Sequence, residues 1–344
     1  MAQKQTAILV KEFNVEEPQA AIDICTDVPV KTPADGEVRV RLTCRPVDPA
    51  DVLSLQGHYP PMCQELPTVP GIEGVGFVES VGSGAGKKFS KGARVVGTPF
   101  PLHLKNGGTW QQYINVKEDE LFAVPQSVDD EQAAQFYINP MSVRGMLDTL
   151  DIPRGEWLLQ SAAGSNLGRM MIQMAKIFGI RTIGVIRREE QKKELLEAGA
   201  DEVLVASGES DGEDIAARVK EITKDQGAYG AIDAVAGVMT QRLLAAVRPK
   251  GTLLVYGLMS GLTFSGSILD VLIELKVITG FHIDKWKQSC GREKHQKLLK
   301  EVMDMFAEGK VTGVVGETFP LESVAEAVQA TTKAGKKGKV LLKD

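Results

Sequence analysis

Four cysteines occur in 344 residues, Cys25, Cys44, Cys63 and Cys290, and no two of them form a C-x-x-C pair. Their scarcity and scatter exclude a disulfide framework, and a closed structural zinc site would need clustered Cys and His. The four histidines, His58, His103, His282 and His295, share no metal-ligand spacing. No apolar run approaches the ~18 residues that a membrane span requires. Neither sign of charge dominates: 40 Lys and Arg against 45 Asp and Glu leave −5, without the basic stripe of a nucleic-acid binder. The short basic runs Arg187–Lys193 and Lys333–Lys339 read as solvated faces. Met1–Thr6 leads straight into the strand-like Ala7–Val10, with neither a secretory nor an Arg-rich leader pattern. The expected location is therefore cytoplasmic, or an organelle reached with a leader since removed.

What is present is ordinary globular material, 43% hydrophobic and 25% charged, long enough for about two domains. The first 125 residues read as mostly β. Val38–Leu42 alternates as a half-buried strand, Gly74–Val81 and Ala93–Gly97 are further apolar runs, and Gly82–Gly86 is a turn with no helix after it. A helix is expected from Ser127, taken as its cap. From Trp157 the rhythm changes. Expected strands at Trp157–Ser161, Arg181–Ile186, Glu202–Val205, Ala231–Val235, Thr252–Tyr256 and Val277–Phe281 alternate with amphipathic helices at about Leu167–Phe178, Glu189–Ala198, Gly212–Lys224, Thr240–Val247 and Ile268–Leu275. That alternation predicts an α/β fold with a doubly wound parallel sheet covered on both faces. Lys339–Leu342 reads as a closing strand. The predicted domains are 126–285, the parallel-sheet domain, and 1–125 with 286–344, a mostly β domain.

The turn Gln160-Ser-Ala-Ala-Gly-Ser-Asn-Leu-Gly168 follows a strand and opens a helix. There the backbone can approach a pyrophosphate, and the helix N-terminus offers free N–H groups and a positive dipole end. The turn is poor in glycine: with Gly168 as the last glycine of G-x-G-x-x-G, Ala163 and Ser165 stand in the other two places. Gly164, Ser165, Asn166, Leu167 and Gly168 are the candidate phosphate-side residues. An NAD site wants an acid about 20 residues further on; this chain has Arg187 and Arg188. Two guanidiniums suit a 2′-phosphate, so NADPH is the expected cofactor. Solvated arginines at a strand end are the alternative.

Gly71-Ile-Glu-Gly-Val-Gly76, Glu79-Ser-Val-Gly, Gly92-Ala-Arg-Val, Leu195–Asp201 and Ile232-Asp233 together resemble the medium-chain dehydrogenase/reductase superfamily over essentially the whole chain. That resemblance implies a Rossmann domain joined to a GroES-like catalytic domain. Ile72 replaces the histidine of the zinc-dependent members' Gly-His-Glu, their first zinc cysteine falls near Asp48-Pro49, and their structural cysteine cluster is absent. The chain thus resembles the zinc-free branch, with no metal expected. Within that branch, four segments are similar to the trans-2-enoyl-thioester reductases of mitochondrial fatty acid synthesis. They are Asp48–Pro60, Asn139-Pro140, the Ser165-bearing turn and Phe281…Trp286-Lys287. Departures are Asp48 for Asn, Ser142-Val143 for the segment after Asn-Pro, and His282 for Trp.

The resemblance implies NADPH-dependent reduction of the C2=C3 double bond of an enoyl-CoA or enoyl-acyl-carrier-protein, in a homodimer, with a mitochondrial matrix location if a leader has been removed. It places Tyr59 on the family's catalytic tyrosine, since a phenol can hydrogen-bond an enolate oxygen or supply a proton. It places Asn139 at the nicotinamide ribose or substrate, with a helix cap as the alternative reading. Tyr256, Gly257, Leu258 and Met259 would close the sheet edge at the nucleotide, and Gly257 would admit the cofactor to the backbone. Phe281 and His282 would line the cofactor and acyl channel, core packing competing at Phe281. Lys339 would lie near the cofactor, unless it is a solvated strand-edge lysine. Dimerisation is expected to pair the edge strand Val277–Phe281. A zeta-crystallin-like quinone or enone reductase and a non-catalytic NADPH-binding protein are the competing readings.

Overall fold

Buried and exposed positions alternate along Glu37–Pro46, with Val38, Val40, Leu42 and Cys44 fully buried, as an antiparallel strand with one face on a core requires. The computed structural model describes residues 3–58, 66–100, 107–207, 211–333 and 335–344. In chain order, β1 (Lys4–Val10) pairs with β2 (Ile22–Pro29) as a two-stranded ribbon. Next come β3 (Glu37–Pro46), α1 (Pro49–Leu55), β4 (Val75–Val81), β5 (Arg94–Gly97), β6 (Tyr113–Lys117), β7 (Leu121–Ala123) and α2 (Asp130–Ala134). The α/β repeat follows: α3 (Ile138–Leu150), β8 (Trp157–Gln160), α4 (Asn166–Phe178), β9 (Arg181–Ile186), α5 (Lys192–Glu197), β10 (Glu202–Ser207), β11 (Asp211–Gly212), α6 (Ile215–Thr223), β12 (Ala228–Asp233), α7 (Val238–Ala246), β13 (Val247–Val255), α8 (Ile268–Leu272) and β14 (Val277–Gly280). The chain ends with α9 (Ile283–Cys290), α10 (Arg292–Ala307), β15 (Val315–Pro320), α11 (Val324–Thr332) and β16 (Lys339–Lys343).

These elements form two units: residues 1–138 with 306–344, and residues 139–305. Both boundaries lie beyond those expected from the sequence, because α2 belongs with the β-rich unit and α9 and most of α10 belong with the α/β unit. The β-rich unit holds a sheet in the order β15-β16-β3-β4-β5-β7, with β6 also on β3. β16 is therefore flanked by β15, parallel, and β3, antiparallel. The Arg45 side chain at the end of β3 is wholly buried, and its guanidinium donates to the carbonyls of Thr109 (3.1 Å) and Gln111 (3.0 Å) and to the Asp344 carboxylate (3.0 Å).

The α/β unit holds a sheet in the order β11-β10-β9-β8-β12-β13-β14. Apart from the β10–β11 hairpin, every pairing is parallel. β8 is buried at every position and β9 at all but its first, as strands covered by helices on both faces are. Strand order reverses between β8 and β12, the switch point at which open α/β sheets bind ligands. The expected helix from Ser127 starts later. Asp129 is the cap, its carboxylate accepting from the Gln132 N–H at 2.7 Å, because carboxylate and helix dipole favour each other there.

Candidate active site

In the α/β unit the turn between β8 and α4 follows a strand and opens a helix as expected, and the helix start is capped. Ser165 caps α4, its hydroxyl accepting from the Gly168 N–H at 3.0 Å. A Cβ at Gly168 would meet the Ala163 carbonyl oxygen at 2.6 Å, so backbone packing requires glycine there. Ala163 takes the place of the first motif glycine because β9 makes room: a Cβ on Gly184 would stand 2.7 Å from that of Ala163. Gly164 lies under the Gln191 amide, and Arg169 donates to its carbonyl at 3.2 Å while pairing with Glu194 at 2.9 Å. Asn166 and Leu167 form the first turn of α4. Ala162 is left-handed, with φ of 48°. Arg187 and Arg188 follow β9 and are exposed; Arg188 comes within 3.9 Å of Glu190.

At the neighbouring strand ends the Gln160 Oε1 atom and the Tyr256 hydroxyl are buried with no hydrogen-bond partner among the described residues. Burial raises the Tyr256 phenol well above its ordinary value, and the Asp233 carboxylate adds to the effect. A Cβ on Gly257 would meet the Ala234 carbonyl oxygen at 2.4 Å. Glycine is thus required there by the protein's own backbone, a reason the sequence did not reveal. Leu258 and Met259 are exposed. Phe281 packs on Trp286, with ring centroids 6.3 Å apart, and both rings press on α3, where a Cβ on Gly145 would lie within 2.8 Å of each. His282 caps α9, its Nδ1 accepting from the Asp284 N–H at 3.3 Å. Asn139 is buried inside the first turn of α3, one residue past the helix start, and so is not the cap. A capped helix start, glycine where a side chain would collide, exposed guanidiniums beyond the second strand and buried polar atoms at the strand ends fit a dinucleotide.

In the β-rich unit a charged cluster is closed off from water. Asp48, Asp51, Glu73 and Lys339 are each at most 4% exposed. The Lys339 ammonium donates to Asp48 and lies 4.0 Å from Glu73. Asp48 opens α1 in a capping box, its own N–H donating to Asp51 at 2.8 Å. Glu73 accepts from the N–H groups of Ile138 (2.8 Å) and Tyr137 (3.2 Å). Burial, reinforced by the charge of Asp48, raises both Asp51 and Glu73 well above the carboxylate range. Burial opposes charge on Lys339, but the Asp48 and Glu73 carboxylates outweigh it and raise the ammonium. Lys339 is therefore neither solvated nor a cation free for an outside anion. The sequence carried a signal for this cluster, since Asp48-Pro-Ala-Asp51 has capping-box spacing before an apolar run. The cluster does not fit zinc: Ile72 offers no donor, and an ammonium held among the carboxylates would repel a second cation. Tyr59 lies outside the described residues.

The Gly86–Phe89 segment, which ends and follows the Gly82–Gly86 turn, holds a carboxylate of its own chain. The N–H groups of Gly86, Lys87, Lys88 and Phe89 all donate to the Glu118 carboxylate, at 2.8–3.3 Å. Burial alone would raise Glu118, and these four donors lower it instead.

A family model described as alcohol dehydrogenase GroES-like domain matches residues 34–126, and one described as zinc-binding dehydrogenase matches 167–308. The mitochondrial enoyl-[acyl-carrier-protein] reductase of Xenopus tropicalis is 30% identical over 88% of this chain and 86% of its own. That of Rattus norvegicus is 29% identical over 87% and 78%. Among solved structures, a quinone oxidoreductase of Pseudomonas syringae superposes with a TM-score of 0.85 at 25% identity, covering 99% of this chain and 100% of its own. A mycobacterial protein complexed with NADPH gives 0.86 at 25%, covering 98% and 100%. With both halves matched in order and the parallel and β-rich units in place, the chain belongs to the medium-chain dehydrogenase/reductase family of oxidoreductases.

Proposed function

We propose that the protein is an NADPH-dependent reductase of trans-2-enoyl thioesters, carried on CoA or an acyl-carrier protein. The observation that carries this reading is the 30% identity to a mitochondrial enoyl-[acyl-carrier-protein] reductase across 88% of the chain. The Ser165-capped turn and the two arginines after β9 support it. Bound NADPH would supply the hydride that reduces the β-carbon. The chain's own residues do the rest. Gly164, Ser165, Asn166, Leu167 and Gly168 receive the pyrophosphate, and Arg187 and Arg188 receive the 2′-phosphate through charge-assisted bonds. Tyr256, Gly257, Leu258 and Met259 flank the nucleotide at the end of β13. Asn139 orients the nicotinamide ribose or substrate, and Phe281 and His282 restrict the channel. As the β-carbon gains hydride, negative charge builds on the thioester carbonyl oxygen. The Tyr59 phenol donates to that oxygen, and the α-carbon takes up a proton. Lys339, held by Asp48, keeps the start of α1 in place rather than touching the cofactor.

Two copies are proposed to associate through β14, an edge strand flanked by exposed apolar side chains that include Leu272 (64% exposed) and Ile273 (68%). The names of the relatives support a mitochondrial location.

The test is NADPH oxidation with crotonyl-CoA, a longer trans-2-enoyl-CoA and a quinone in parallel, for wild type and Tyr59→Phe. Thioester turnover that collapses in the variant is expected. Quinone turnover without thioester turnover, indifferent to Tyr59, would overturn the reading in favour of the activity named for the Pseudomonas relative.

A further inference from the structure

Asp233 ends β12 with its side chain fully buried, and among the described residues no cation pairs with it. Its charge is met by hydrogen bonds alone. Oδ1 accepts from the Ser161 hydroxyl (2.7 Å) and the Val235 N–H (2.8 Å); Oδ2 accepts from the Thr240 hydroxyl (2.7 Å) and the Ala236 N–H (3.2 Å). The Ser161 oxygen in turn accepts from the Ala234 N–H at 2.9 Å. Ser161 follows β8 and Asp233 ends β12, so their bond spans the gap at which strand order reverses. α7 begins after Gly237, which has no side chain to cap it; the Thr240 hydroxyl, in the first turn of α7, ties the start of that helix to Asp233.

Both turns tied by this carboxylate are held in conformations that L-residues avoid. Ala162 has φ of 48° and Ala236 has φ of 65°. Ala162 directly follows Ser161, and Ala236 donates its own N–H to Asp233. Backbone of this kind persists only where the surroundings over-determine it. The two turns leave β8 and β12, the strands that bound the switch point.

We propose that Asp233 is a positioning residue for the dinucleotide. It locks the Ser161–Ser165 turn and the Val235–Gly237 turn together in the shape the cofactor meets, so that ordering them does not have to be driven by binding. Its charge is spread over four donors, which limits repulsion of a pyrophosphate. The role rests on the NADPH reading above.

The test compares NADPH affinity, followed by cofactor fluorescence, in wild type, Asp233→Asn, Thr240→Val and Thr240→Ser. Amide hydrogen exchange of each ligand-free protein is measured alongside. Asn keeps the shape, but the NH2 group that replaces one carboxylate oxygen accepts nothing, so either the Val235 N–H or the Ala236 N–H loses its acceptor. We expect Asp233→Asn to weaken NADPH binding by about tenfold or more, with kcat at saturating cofactor within about threefold. Exchange should quicken at 161–165 and 235–237 ahead of the rest of the sheet. Thr240→Val should follow in the same direction, and Thr240→Ser should bind as wild type does. Unchanged affinity in folded Asp233→Asn, or exchange that quickens uniformly through the unit, would make Asp233 a purely structural group and overturn the proposal. Wild type that fails to bind NADPH would overturn the cofactor reading itself and this role with it, a result distinct from any variant effect.

Discussion

Lys339 and Asp48 stand 291 residues apart in sequence and face each other as a buried ion pair, with Asp51 and Glu73 beside them. Three carboxyls around one ammonium leave the cation indispensable. Lys339→Met should destabilise the protein by about 3–5 kcal/mol, the typical cost of breaking a buried pair from one side. Adding Asp48→Asn to Lys339→Met removes the carboxylate that lost its partner and should recover part of that loss. Urea unfolding of the three proteins checks both expectations: Lys339→Met as stable as wild type would contradict the first, and a double variant no more stable than the single would contradict the second.

His295 gives a pH dependence with a definite sign. Burial, with the charge of Lys287, lowers its imidazole from 6.5 to about 4. The unfolded chain therefore binds a proton that the folded chain refuses between those values. This contribution is fully present above pH 6.5 and is lost as pH falls towards 4, amounting to about 3 kcal/mol. Thermal melts of wild type and His295→Gln across pH 7 to 4 should converge as pH falls.

Arg187 and Arg188 are exposed, so replacing both with alanine should leave stability nearly unchanged. NADPH affinity should fall by roughly a hundredfold, because each charge-assisted bond contributes about 1.5–3 kcal/mol. NADH affinity should barely move. Parallel titrations with the two cofactors check this, and equal losses for both would remove the arginines from the 2′-phosphate.

Gly257→Ala should cost stability, by about 1–3 kcal/mol. The added carbon meets backbone at Ala234, which cannot swing aside as a side chain would. The loss should be visible in the melting temperature of cofactor-free protein.

Val277→Lys on the edge strand β14 should turn a dimer into a monomer by light scattering with secondary structure intact, since a charge on an edge strand opposes strand pairing. A wild-type monomer would end the dimer proposal.

The parallel sheet was legible because fully buried strands and amphipathic helices leave strong periodic signals; Arg181–Ile186 matches its predicted bounds. Starts and ends were less legible where a polar side chain decides them. Ser127 and Asp129 are both good caps, and only the fold selects Asp129. β12 ends at Asp233 rather than Val235, because the carboxylate turns back to bind Val235 and Ala236. The buried cluster was harder to see because Glu73 and Lys339 join Asp48 and Asp51 only through sheet pairing far along the chain. Gly257 looked like an opening to a ligand, whereas its nearest neighbour is the chain itself.

The placement of β16 between β15 and β3 has a consequence for synthesis. β3 leaves the ribosome early, and β6 pairs with its Glu37–Arg41 stretch, yet the edge at Cys44–Pro46 stays open until Lys339–Lys343 has been made. Until then Arg45 lacks Asp344 and Asp48 lacks Lys339. The intervening α/β sheet, whose strands lie between Trp157 and Gly280, is available to fold first. The β-rich unit is thus the later of the two to be sealed during translation, and its open edge is where a chaperone or a protease would find the nascent chain.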